Sequence, residues 1–345
     1  FTIADNIGVV VTNTISAANA EALSVRAEIG TGVVTATVVA DTAADLNTDL
    51  TNTSADVLTL TVLDGAGATD AADLLSLVNK TAGTIDVSNV TSIAGEVAEL
   101  TAAAGIYGKA DIIGLGDEAI TENSGGAISV TNANALAALT NGVVTASVSD
   151  TASNLAGLNE TGNAYTLTVS DEDGGTNVSD LLALNAKTTV PVVVTALDAD
   201  GTTSLSGSYT QIKTLFAAAA NGDYTGLAGD LPITVTGNIS VSQANEINAL
   251  TSGAVTATIS TGDMATLNSL EGTGNVYAVT VTDTSASASD LLALNGKTTA
   301  LVDATAVTTL TGSLTDINGV LNAEAATFTI ADNIGVVVTN TISAA

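Results

Sequence analysis

The side chains that could do chemistry in this chain are almost all carboxylates. Its 345 residues include 36 Asp and Glu against 6 Lys and Arg, with no His and no Cys. That leaves no imidazole for a serine triad, no thiol nucleophile and no nitrogen or sulfur ligands for a zinc or haem site. Oxygen ligands suit hard cations, so Ca2+ is the one cofactor the composition favours. Two loops concentrate such ligands, Asp171-Glu172-Asp173-Gly174-Gly175 and Asp198-Ala199-Asp200-Gly201, where alternate acids ahead of Gly can turn carboxylates inward. Asp171, Asp173, Asp198 and Asp200 are therefore the candidate metal ligands. Neither loop continues to the bidentate Glu of an EF-hand, and no GGxGxD nonapeptide of a calcium β-roll occurs. Five acids, Asp41, Asp64, Asp150, Asp171 and Asp283, follow β-like runs and precede helix-like ones. Asp at such a junction is expected to cap the helix.

The few cations are placed with more order than their number suggests. Lys80, Lys187 and Lys297 each stand six residues after the first Leu of an LLxL segment. A cation there complements the negative end of a helix, and on an acidic surface it is also a candidate for lateral contact with carboxylates of a neighbouring molecule. The single arginine, Arg26, and the dispersed lysines do not supply the basic cluster that calcium-dependent polysaccharide lyases use, and a chain without Trp offers little for sugar stacking. No catalysis is expected. A formal charge of −30 repels phosphate backbones and anionic lipid, so no nucleic-acid partner is expected either. No apolar run reaches the ~18 residues of a membrane-spanning helix, and no basic-then-apolar leader opens the chain, so neither membrane insertion nor a cleaved signal is expected.

The elements that hold these residues are set by repetition. Phe1–Ala18, FTIADNIGVVVTNTISAA, recurs unchanged as Phe328–Ala345, a period of 327 residues. Within it VVTATV at Val33, VVTASV at Val143 and AVTATI at Ala254 mark a shorter period, and LLSLVNKT from Leu74, LLALNAKT from Leu181 and LLALNGKT from Leu291 keep the same register. Three long repeats follow, at about 33–142, 143–253 and 254–327 continuing as 1–32, in one continuous stretch over 1–345 whose last part, 328–345, repeats 1–18. Each long repeat divides into about four units of the length at which solenoids are built.

Within a unit a strand precedes a short helix. Val255, Ala257 and Ile259 alternate with Thr256, Thr258 and Ser260, and Tyr165, Leu167 and Val169 with Thr166, Thr168 and Ser170, as in a half-buried strand. Leu spaced three and four apart behind Ser, Thr or Asp, as at Ser289-Asp290-Leu291-Leu292-Ala293-Leu294, predicts helices too short to stand without a sheet. The expected fold is an α/β solenoid: stacked strand-plus-short-helix coils with a parallel β-sheet on one side, or alternatively an all-β coil of similar length. The small aliphatic core, with five Tyr, three Phe and two Pro in the whole chain, suits such thin layers. Outward Thr pairs such as Thr166 with Thr168 and Thr256 with Thr258 would form ranks across the sheet.

Phrases such as VTATISTGDMATL, VTVTDTSASASDLLALNGKTT and DATAVTTLTGSLTDIN resemble the giant repetitive cell-surface proteins of marine cyanobacteria and some proteobacteria, and the likeness runs over nearly the whole chain. The resemblance implies type I secretion, an extracellular or cell-surface location and a role in surface fibrils, adhesion or surface motility. The calcium nonapeptides that those relatives carry are missing here. The function expected is a structural repeat protein forming an extracellular rod or filament, its partners being further copies end to end and side by side. The alternatives are a spacer rod for an adhesin's terminal domain, and a calcium- or ice-binding surface solenoid.

Overall fold

A computed structural model describes residues 6–26, 29–101, 103–170, 175–194, 197, 204–323 and 326–340. The fold is α/β: parallel sheets with short helices interspersed, and no closed barrel. The chain divides into two compact units, one made of residues 1–150, 157–168 and 186–190, the other of 151–156, 169–185 and 191–345.

The first unit carries strands β1 Val9–Val10, β2 Val34–Thr37, β3 Val57–Leu63, β4 Thr69–Asp70, β5 Ile85–Asn89, β6 Ser92–Gly95, β7 Ile112–Ile113, β8 Ala119–Glu122, β9 Val144–Asp150 and β10 Ala164–Val169. Its helices are α1 Ala17–Ser24, α2 Ala43–Asp49, α3 Ala71–Val78, α4 Val97–Leu100 and α5 Val130–Ala137. The strands run in the orders β1-β2-β3-β5-β7 and β4-β6-β8-β9-β10.

The second unit contains α6 Ala152–Leu155, β11 Gly175–Asn177, α7 Val178–Asn185, β12 Val192–Val193, β13 Ser204–Gly207, α8 Tyr209–Ala220, β14 Tyr224–Thr225, β15 Ile233–Ile239, α9 Val241–Asn248, β16 Val255–Ile259 and α10 Met264–Leu267. It continues with β17 Val276–Thr280, β18 Ser285–Ser287, α11 Ala288–Asn295, β19 Val302–Ala304, β20 Thr309–Gly312, α12 Leu314–Asn322, β21 Phe328–Ile330 and β22 Gly335–Val338. The orders here are β11-β13-β15-β16-β17-β19-β21, β18-β20-β22 and the pair β12-β14.

Alternation decides what each strand buries. Val34, Ala36 and Val38 face inward while Thr35 and Thr37 face out, and Val255, Ala257 and Ile259 repeat the pattern. Tyr165, Tyr277 and Phe328 take inward strand positions and are the largest of the fully buried side chains. The helices bury one stripe at spacing three: Ala71, Leu74 and Leu77 in α3, Val178, Leu181 and Leu184 in α7, Ala288, Leu291 and Leu294 in α11. Eight residues are below the length at which a helix persists by itself, and this stripe against the strands holds it. Ser240 illustrates the start signal: its hydroxyl accepts from the Gln243 amide at 3.2 Å, and the Gln243 side chain accepts from the Ser240 amide at 2.9 Å.

Two features depart from the sequence expectation. Two short strands often precede one helix, so each unit has more than one sheet. Ser285–Ser287 and Thr309–Gly312 lie directly ahead of α11 and α12, in stretches whose Leu spacing predicts helix throughout or no element at all. They bury only Ala286 and Leu310, an alternation too short to stand out beside the helix. The segment after Thr261 is the other case. Its helical turn ends at Leu267, and Leu270 is buried from the following turn.

Candidate functional site

The four candidate metal ligands, Asp171, Asp173, Asp198 and Asp200, lie outside the described residues. Among the described residues no three acidic side chains converge in a way that could hold a metal. Of the four junction acids among the described residues, Asp41, Asp64, Asp150 and Asp283, none is the N-cap of the helix that follows it. Thr42 and Thr151 are the N-caps beside Asp41 and Asp150. Asp64 accepts instead from the amide and hydroxyl of Thr91, at 3.0 and 2.6 Å, 27 residues later. Asp283 accepts from the Met264 amide at 2.6 Å, at the start of a helix 19 residues earlier. Asp171 is outside the described residues. The caps themselves are mostly Ser or Thr, with Asp70 and Asp263 the acids that do cap, accepting from the Ala72 and Thr266 amides at 2.8 Å each.

Lys80, Lys187 and Lys297 sit two residues beyond the ends of α3, α7 and α11, half-buried alike. Their side chains form no ion pair among the described residues, where Lys213 pairs with Glu246 at 3.3 Å. The neighbour of each lysine makes the contacts. Thr298 donates its hydroxyl to the Tyr277 carbonyl at 2.8 Å and accepts from the amides of Tyr277 and Ala300 at 2.9 and 3.0 Å. Thr81 likewise accepts from Leu58 and Gly83 at 2.8 and 2.9 Å, and Thr188 donates to the Tyr165 carbonyl at 2.6 Å. Thr140 and Thr251 do the same where no lysine precedes, donating to Glu118 and Leu231 at 2.5 and 2.7 Å. Each hydroxyl ties the turn after a helix to a backbone carbonyl at or beside a strand 20–23 residues earlier. The signal in the sequence was the Thr of N/A/G-Lys-Thr rather than its Lys.

A second joint lies just ahead of the strands. The side-chain Oδ1 atoms of Asp56, Asn163 and Asn275 accept from the amides of Val34, Val144 and Val255, all at 2.8 Å and buried. The two Asn amides also donate onward, Asn163 to the Tyr165 hydroxyl at 3.2 Å and Asn275 to Asn248 at 2.8 Å. Asp56 is 2 % exposed, and its Oδ2 has no partner among the described residues. Asp56→Ala is expected to lower stability by about 1–3 kcal/mol through the orphaned Val34 amide. Asp56→Asn, which restores the residue type of the other two repeats, is expected to hold or raise the urea midpoint.

A third joint links helices to turns. Glu21, Asn134 and Asn245 are the fifth residues of α1, α5 and α9. Asn134 accepts from the Asn159 amide at 2.8 Å and donates to the Gly157 carbonyl at 3.0 Å; Asn245 accepts from Glu271 at 2.9 Å and donates to Ser269 at 2.8 Å. Glu21 accepts from the amides of Thr51 and Asn52, both at 2.9 Å, and from both side chains. Burial raises the Glu21 pKa, but these bonds outweigh it and bring the carboxyl from 4.5 down to about 2. Because the folded value is the lower one, the contribution is complete above about pH 4.5 and is lost as pH falls through about 2. Solvent screening holds the expected cost of Glu21→Ala to about 1 kcal/mol at pH 7. Urea midpoints of the two proteins are expected to draw together as pH falls toward about 2 and to converge only below it.

On the outer face the Thr ranks exist but are mixed. Thr37 pairs with Thr59 and Thr121 with Thr145, whereas Thr35 meets Val57, Thr256 meets Val276 and Thr280 meets Asp303. Among the described residues no helix is long and apolar enough to cross a membrane. No protein-family model, no curated protein and no solved structure matches this chain.

Proposed function

We propose that the chain is a structural repeat protein whose strand-plus-helix coils stack as one continuous solenoid and build an extracellular rod or filament at a bacterial cell surface, without catalysis. The observation that carries this reading is the recurrence of the same polar joints in each long repeat. Side chains that in an enzyme would converge on a pocket are spent here on tying one coil to the next. A joint that repeats can be extended without limit, which is what a filament needs and a compact enzyme does not. Further copies, end to end and side by side, are the proposed partners. Lateral contacts would draw on Lys80, Lys187 and Lys297 against carboxylates, each weak and many summed by multivalency. The interruption of the Thr ranks by Val and Asp favours this role over an ice-binding face, which requires a regular array.

The test is immunogold labelling of intact source cells with antibody raised against the purified chain. Decoration along fibres outside the cell is expected. Labelling only after permeabilisation would remove the surface role.

A further inference from the structure

We propose that the outward face of the sheet β2-β3-β5-β7 is a docking surface for the same face of a second copy of this chain, sheet packed on sheet. The proposal rests on the side-by-side contact between copies proposed above and gives that contact a place.

The face lies wholly within the first unit. On β2 and β3 the inward side chains Val34, Ala36, Leu58 and Leu60 are buried. Their outward neighbours are not all polar. Val33, Val39, Val57, Leu63 and Ile113 stand out from β3, β7 and the two ends of β2, each between 36 % and 51 % exposed. Register draws them into one surface, with Thr35 opposite Val57, Thr37 opposite Thr59, Thr61 opposite Asp86 and Asp86 opposite Ile113. Single exposed aliphatics are ordinary on a protein surface, whereas a cluster on one face marks an interaction site. Parallel sheets are also rarely left with one face bare.

Charge selects the occupant. Within these four strands Asp86 is the one ionisable outward residue, and its carboxylate already accepts from the Ser88 amide at 2.9 Å and from the Ser88 hydroxyl. Asp41 and Asp111 flank the strands at the rim. A cationic partner would be drawn to the carboxylates that crowd the rest of the chain. Two copies, each at −30, repel over most of their surfaces and can approach most closely where that charge is sparsest. The pattern also matches itself. Val33 and Val57 stand where β2 and β3 begin, Val39 and Leu63 where they end, and the Thr37–Thr59 pair lies between. A two-fold axis across the strands at that pair lays aliphatic on aliphatic and Thr on Thr, with the sheets about 10 Å apart. Four strands about 4.8 Å apart and about seven residues long cover roughly 400 Å2. A stable dimer needs about 800 Å2 per partner, so a single face associates weakly and reversibly.

Sedimentation equilibrium of the full chain tests this from about 10 μM to about 1 mM protein, at about 0.05 and 0.5 M NaCl. A reversible monomer–dimer equilibrium is expected, tighter at the higher salt because screening relieves the repulsion and no ion pair holds the face. Val39→Glu/Val57→Glu puts an acid into each half of the face and is expected to weaken association about tenfold or more. Val143→Glu/Leu301→Glu adds the same charge at exposed positions outside the face and is expected to stay within about twofold. Should the first pair lower the urea midpoint, Val39→Thr/Val57→Thr keeps the β-branched shape and is expected to weaken association about threefold. Monomer at every concentration, equal weakening by the pairs on and off the face, or association that loosens as salt rises overturns the proposal; the last result returns the contact to the lysines. In any of these cases fibres labelled on intact cells leave the filament standing. Labelling confined to permeabilised cells removes the filament, whatever sedimentation shows of the face.

Discussion

Gly253→Ala is expected to cost about 3 kcal/mol or more, a large loss for a single added methyl. Gly253 lies where the turn after α9 enters β16. A Cβ built there falls 2.2 Å from the Asp230 carbonyl oxygen and 2.7 Å from the Leu231 carbonyl carbon and oxygen. These are backbone atoms of the segment that leads into β15, and they cannot yield as the tip of a flexible side chain would. The close approach is what allows Thr251 to reach both the Leu231 carbonyl and the Gly253 amide, at 2.7 and 2.9 Å. Gly83 and Gly142 stand in the same relation to the Leu58 and Glu118 carbonyl oxygens, at 2.2 and 2.4 Å. Gly229→Ala, where a Cβ meets nothing within 4 Å, is the control and is expected to stay within about 0.5 kcal/mol. Urea unfolding followed by far-ultraviolet circular dichroism measures both. Equal midpoints for the two variants would contradict this close backbone approach.

Thr298→Val is expected to destabilise by about 2–3 kcal/mol, nearly as much, though it preserves shape. Thr298 is 7 % exposed, and its hydroxyl serves two amides and one carbonyl. Valine leaves all three without that partner in a site that water barely reaches, and the desolvation of unpaired backbone groups sets the penalty. Thr298→Ser keeps the hydroxyl and is expected to recover most of the loss. Lys297→Ala, one residue away, is expected to change stability by less than about 0.5 kcal/mol because the lysine forms no ion pair among the described residues. A larger effect at Lys297 than at Thr298 would reverse the roles assigned to them.

The contrast between these neighbours shows what the sequence made legible. Inward and outward strand positions were readable from Val255, Ala257 and Ile259 against Thr256, Thr258 and Ser260, since a period of two leaves only one buried face. Helices were readable from Leu triplets. The joints were harder to see because their information lies between segments about 20–30 residues apart. Glu21 looks like any surface acid until the turn carrying Thr51 and Asn52 is folded against it. The clue available was positional: Ala20-Glu21, Ala133-Asn134 and Ala244-Asn245 put a hydrogen-bonding side chain at one place in three repeats. Charge drew attention to Lys80, Lys187 and Lys297, yet a solvated ammonium holds less structure than a buried hydroxyl with three partners. The short strands β18 and β20 were hidden because three or four residues carry too little alternation to compete with the helix beside them.

The central claim is that coils of this sequence stack into a continuous filament. Electron cryo-microscopy of the fibres that the antibody marks tests it most directly. The account predicts a meridional layer line near 4.8 Å, from parallel strands running across the fibre axis, and a longer axial period containing three long repeats. Discrete particles, or fibres whose strands run along the axis, would contradict it.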